Sequence, residues 1–183
     1  IVLPKEWIDV ADTAVKIGLG SLITGVFTYL GVKFSHKSEQ SKYLLEHKVK
    51  VIEQIASEAG EYFAAWNGVI SKIGGITKKM DFDMENVDLS ANQLKWVKER
   101  DKALVDSWSA RQSVQSKLRL LKAENAVGKF KECISLETQL RDMMFFDKDY
   151  PNYNQLTKYR KEARTAQRKF QEELAETYEN IPA

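Results

Sequence analysis

Leu45, Val49, Ile52, Ala56, Ala59, Phe63, Trp66, Ile70 and Ile73 follow one another at alternating steps of four and three residues. That spacing lines apolar side chains along one side of an α-helix. Sustained over this length, it demands a neighbour that buries the line. The same heptad phase runs backward through Lys42, Ser35, Thr28, Ser21 and Ala14, which predicts one rod from Ile8 to Ile73, about 100 Å long. Between Val32 and Lys42 the seam positions turn polar, and there the rod can bend. The chain has three prolines, Pro4, Pro151 and Pro182, so little interrupts a helix between the ends. The expected fold class is all-α.

The first part of the rod has its own character. Ile17 to Val32 carries no charge. Ala11, Ala14, Gly18, Ser21, Gly25 and Thr28 fall on one stripe, while Val15, Leu19, Leu22, Ile23, Val26, Phe27 and Leu30 fill the rest of the circumference. Small residues on one face let helices approach closely inside a bilayer, and the bulky remainder suits lipid. The uncharged run is about 24 Å long against a hydrocarbon core of roughly 30 Å. Lys16 and Lys33 bracket it with stems that can reach the interface, and a span from Val10 to Phe34 is long enough. The expectation is an N-terminal transmembrane helix that packs on copies of itself through Ala14, Gly18, Ser21, Gly25 and Thr28. The competing reading is a helix enclosed in a soluble bundle.

Flanking charge sets the orientation. Lys33, Lys37, Lys42, Lys48 and Lys50 follow the run against Glu39 and Glu46, whereas Lys5 and Lys16 precede it beside Glu6, Asp9 and Asp12. The positive-inside rule then makes the C-terminal side cytoplasmic, with Lys33, Lys37 and Lys42 placed to hold anionic lipid headgroups. Residues 1–37 read as membrane anchor and basic juxtamembrane segment, and residues 38–183 as a helical bundle domain. A bacterial inner membrane is the expected location.

Gly74-Gly75 is expected to end the first helix. An acidic loop, Asp81 to Asp88, follows, and Ser90 with Gln93 makes a capping box for a second helix. Leu94, Val97, Leu104, Trp108, Val114, Leu118 and Leu121 give that helix an apolar side, widened by Trp96, Ala103 and Ala110. A break is expected near Asn125 to Gly128. Val127, Phe130, Ile134, Leu140, Met143 and Met144 continue an apolar face before Pro151 stops the helix, and a final helix carries Leu156, Tyr159, Ala163, Ala166, Phe170, Leu174 and Tyr178. The expected product is an antiparallel bundle, or coiled coil, of three or four helices, whose seam includes Leu45, Val49, Ile52, Phe63, Trp66 and Ile70.

The chemistry-bearing residues assemble no catalytic pattern. Asp81, Asp83 and Glu85 have the first spacings of a calcium loop, but Asn86 and Asn92 stand where the sharp turn needs glycine and the bidentate ligand needs glutamate. His36 and His47 lie about 16 Å apart along a helix and cannot share a metal within one chain. The single cysteine, Cys133, has no neighbouring histidine and reads as a small buried apolar residue. No phosphate-cradling glycine loop occurs. With 28 basic and 26 acidic residues, nothing global draws the chain to nucleic acid. No enzyme activity, metal or cofactor is expected.

One segregation of charge remains. Lys158, Arg160, Lys161, Arg164, Arg168 and Lys169 precede Glu172, Glu173, Glu176 and Glu179, the reverse of the order that the helix dipole favours. Local helix energetics do not explain it, so Arg160, Arg164 and Arg168 are candidates for docking a partner, a complementary helix or a second copy of the chain. The leading expectation is a non-enzymatic, single-pass membrane protein that self-associates and presents its bundle to a cytoplasmic protein partner as a scaffold or accessory subunit. The alternatives are a membrane-disrupting pore or toxin-like effector, with Ser21, Thr24 and Thr28 lining a polar path, and a soluble helical adaptor.

Overall fold

The computed structural model describes residues 39–80 and 87–180, and within them the chain is helical with no strands. Five α-helices follow one another: α1 (Glu39–Thr77), α2 (Ala91–Asp106), α3 (Trp108–Leu120), α4 (Glu124–Arg141) and α5 (Tyr153–Glu179), with a π-helical turn, Asp142–Asp147, closing α4. The transmembrane expectation for Val10 to Phe34 and the acidic loop 81–86 lie outside the described residues. Among the described residues no helix is long and apolar enough to cross a membrane.

α1 is 39 residues long and forms one wall of an up-down-up-down bundle. Lys72 sits over the Trp96 ring and Glu58 pairs with Lys117, so α2 and α3 run antiparallel to α1 along one flank. On the other flank Asn67 pairs with Gln167, and Gly74 lies under Arg160, which sets α5 antiparallel as well. α4 closes the bundle against α5, where Phe130 meets Phe170 at 4.9 Å and the Tyr159 hydroxyl donates to the Leu136 carbonyl.

The predicted seam lies inside a broader buried face. Ile52, Ala56, Ala59, Phe63, Trp66, Ile70 and Ile73 are buried, but so are Val51, Ile55, Tyr62, Val69 and Ile76 on a line beside them. A helix that meets neighbours on both flanks buries a wide stripe, not the narrow one of a two-stranded coil. Val49 is partly buried against the core, Leu45 is half-buried, and Tyr43 and Leu44 are exposed. The core therefore starts at Val51, and the first turns of α1 stand beyond it as a stalk.

Three boundaries differ from expectation. α1 does not stop at Gly74-Gly75 but continues to Thr77, with Ile76 and Thr77 buried and the Thr77 hydroxyl donating back to the Ile73 carbonyl. Packing outweighs the glycine penalty, and Gly74 serves close approach. A Cβ there would lie 2.5 Å from Arg160 Nη2 and 3.3 Å from Leu156 Cδ2. By contrast, Gly68 and Gly128 lie inside helices with nothing within 4 Å of a Cβ. Gly68→Ala and Gly128→Ala are each expected to stabilise the fold by about 0.5–1 kcal/mol, read as a higher midpoint of thermal unfolding.

The second predicted helix is broken by one residue. Ser107 leaves the helical register with φ −80° and ψ −2°, and its hydroxyl turns back to the Leu104 carbonyl at 2.7 Å. The capping box at its start is present, Gln93 N–H donating to Ser90 and Ser90 N–H to Gln93. The later break falls at Leu121–Ala123, ahead of the glycine. Lys122 takes the left-handed conformation, φ 56°, while Ala123 N–H bonds the Leu118 carbonyl and Lys122 N–H the Arg119 carbonyl. This is a Schellman closure with lysine in the glycine position. Burial of Leu118, Ala126, Val127 and Phe130 on both sides sets the turn there. The Pro151 break is as expected, with Asn152 and Gln155 as a second capping box.

Candidate functional site

Two features concentrate charge: a buried ion cluster and a basic face on α5. The cluster centres on Glu137, which sits on the inner face of α4 between Cys133 and Leu140 and is 0% exposed. Its Oε2 accepts from Arg111 Nη1 at 2.6 Å and from the Tyr62 hydroxyl at 3.2 Å, while Arg141 Nε lies 3.9 Å from Oε1. Arg141 in turn forks onto Asp101, Nε to Oδ1 at 2.6 Å and Nη2 to Oδ2 at 3.0 Å. Both guanidiniums lie over Trp108, at 4.5 and 4.7 Å from the ring centroid. One connected group thus ties α1, α2, α3 and α4 together, and it straddles the Ser107 break.

Burial is the larger influence on Glu137. It raises the carboxyl above the usual carboxylate range, although Arg111, Tyr62 and Arg141 all favour the charged form. Burial also lifts the Tyr62 and Tyr159 hydroxyls well above the usual tyrosine range, so both stay protonated donors. Glu137 Oε1 and Trp108 Nε1 are buried without a hydrogen-bond partner among the described residues. The arrangement joins four helices through one set of ion pairs and hydrogen bonds. Glu137 escaped the sequence reading, although the signal was present: an acid at helical spacing within the apolar line Phe130, Cys133, Leu140 and Met144.

The basic face is on the outside of α5. Thr157, Arg160, Lys161, Arg164, Thr165 and Arg168 share one side of that helix. Arg160 is half-buried where it crosses Gly74, whereas Lys161, Arg164 and Arg168 are exposed. Arg168 pairs with Glu172 within the helix at 2.7 Å. Arg160, Lys161 and Arg164 join no ion pair among the described residues. The three predicted docking arginines, at steps of four, lie on one side of α5, Arg160 turned toward α1 and Arg164 and Arg168 toward the outside.

The other predicted site residues divide by position. Ala14, Gly18, Ser21, Gly25, Thr28, Lys33 and Lys37 lie outside the described residues, and Lys42 falls within the first turns of α1, ahead of the side chains described. Asp81, Asp83, Glu85 and His36 are also outside, and His47 is exposed. Cys133 is buried, and burial pushes its thiol up to about 12. Among the described residues no group of three or more His, Cys, Asp or Glu side chains converges as metal ligands would. Comparison with protein-family models, curated proteins and solved structures finds no match, so the functional reading rests on the residues of this chain alone.

Proposed function

We propose that this chain is a non-enzymatic, single-pass membrane protein that self-associates through its N-terminal small-residue face and presents a helical bundle to a protein partner on the cytoplasmic side. The observation that carries the reading is the stalk. α1 extends several turns ahead of the first core residue, Val51, with Tyr43 74% and Leu44 62% exposed. Its sequence runs in the same heptad phase into the uncharged stretch Ile17 to Val32. A long projecting helix joined to an apolar run is what a bundle carried on a membrane anchor requires. On α5, Lys161 and Arg164 are exposed without ion pairs among the described residues and suit an acidic surface of another chain.

Membrane fractionation of the expressed full chain tests the anchor. The chain is expected to resist alkaline carbonate and to leave the membrane only with detergent; release by carbonate would refute the anchoring. Close packing of the small-residue face makes a second expectation. Gly18→Leu and Gly25→Leu are each expected to reduce crosslinked oligomers in membranes several-fold, because a bulky side chain holds the backbones apart. Unchanged oligomers in both variants would remove this face from the assembly.

A further inference from the structure

The outward face of α5 carries its charge in two blocks along one line. At about 100° per residue, Lys161, Arg168, Glu172 and Glu179 fall within a narrow sector opposite the buried Phe170, and all four are exposed. The order is basic then acidic, so the stripe is its own complement when reversed. We infer that α5 is the contact between two copies of this chain, laid antiparallel about a two-fold axis near position 170. Lys161 then stands opposite Glu179 of the second copy, and Arg168 opposite Glu172 of the second copy. Each pair occurs twice, as an isologous interface requires. A parallel arrangement sets Arg168 against Arg168 and Glu172 against Glu172, which is repulsive. Thr165 and Ala175, the residues of the same stripe between the charges, are small enough for the helices to approach.

Exposed ion pairs are individually weak and are screened by salt. Such a stripe holds copies together only where something else concentrates them, and this inference rests on the proposed anchoring for that. Confinement to one membrane would raise the effective concentration of the copies for one another. The stripe then decides orientation. In such a pair the two stalks leave from opposite ends, so the small-residue face of each anchor is left to pack on a further copy. The Arg168–Glu172 pair within each helix does not oppose this, since the same oxygens can be shared across the axis.

Disulfide trapping of the full chain in lipid vesicles tests the register. Copies bearing Lys161→Cys are mixed with copies bearing Glu179→Cys, and Lys161→Cys copies alone serve as the comparison. Cys133 is buried and contributes no background. In the antiparallel pair, position 161 meets 179, while the two 161 positions lie about 27 Å apart. The mixed disulfide is expected to exceed that of Lys161→Cys alone by at least roughly fivefold and to fall several-fold at about 0.5 M salt. Arg168→Glu should weaken it, and Arg168→Glu combined with Glu172→Arg should restore it. Equal trapping in Lys161→Cys alone, or no mixed disulfide in a chain that resists carbonate, overturns the pairing and leaves the anchoring intact. If carbonate releases the chain, the anchoring falls, and the pairing then stands or falls on the mixed disulfide.

Discussion

Phe130→Ala is expected to lower the stability of the bundle by about 3–5 kcal/mol. Phe130 is 0% exposed and touches aromatic rings from two other helices: Tyr62 at 5.8 Å, Phe63 at 6.0 Å and Phe170 at 4.9 Å. Truncation removes the ring's own burial and leaves a cavity that these rigid neighbours cannot collapse into. Since domain stabilities run to about 5–15 kcal/mol, the variant would forfeit a large part of the total. Thermal unfolding of the full chain in mild detergent, followed by circular dichroism, should show a midpoint roughly 10 °C lower. A shift of a degree or two would mean that the aromatic cluster is not the mechanical centre of the bundle.

The second large effect concerns the buried ions. Arg111→Met is expected to cost about 3 kcal/mol at neutral pH, because it leaves the Glu137 carboxylate in the core with the Tyr62 hydroxyl and, as its nearest cation, only the more distant Arg141. The loss depends on pH in a defined direction. Burial raises the Glu137 carboxyl above its ordinary 4.5, so the folded chain holds that proton to higher pH than the unfolded chain does. Stability therefore falls as pH rises from 4.5 through the raised value. Removing Arg111 raises the carboxyl further, so the cost should be smaller at about pH 5 than at about pH 8. Glu137→Gln should flatten this part of the profile, and Arg111→Met with Glu137→Leu should recover most of the loss. Urea midpoints at the two pH values decide it. An equal loss at both, or an unchanged slope in Glu137→Gln, would show that the carboxyl is not the titrating group.

Features with a local cause were legible in the chain. Ser90 with Gln93 caps α2 because the hydroxyl and amide satisfy backbone N–H groups within one turn, which no distant residue alters. The break at Pro151 and the apolar face of α5 have the same local origin. Boundaries that depend on a neighbour were misplaced. Gly74-Gly75 reads as a stop until Leu156 and Arg160 are seen to need that space. Lys122 carries no turn signal, yet the two helices around it can bury Leu118 and Phe130 together only if the chain reverses there.

By itself the sequence determined that the described chain is helical and the main inward line of each helix, because periodicity and capping are properties of residues close along the backbone, whereas Trp96 and Ala103, expected on the apolar side of the second helix, are exposed. Charge order along α5 was equally plain, and so was its conflict with the helix dipole. Tertiary structure alone decided that Arg111, Arg141 and Tyr62 meet Glu137, with Asp101 holding Arg141 and Trp108 beneath both guanidiniums, and that Arg160 lies over Gly74 while Lys161, Arg164 and Arg168 remain exposed. Those placements depend on which helices become neighbours and in what register, and that follows from how several apolar faces share one core.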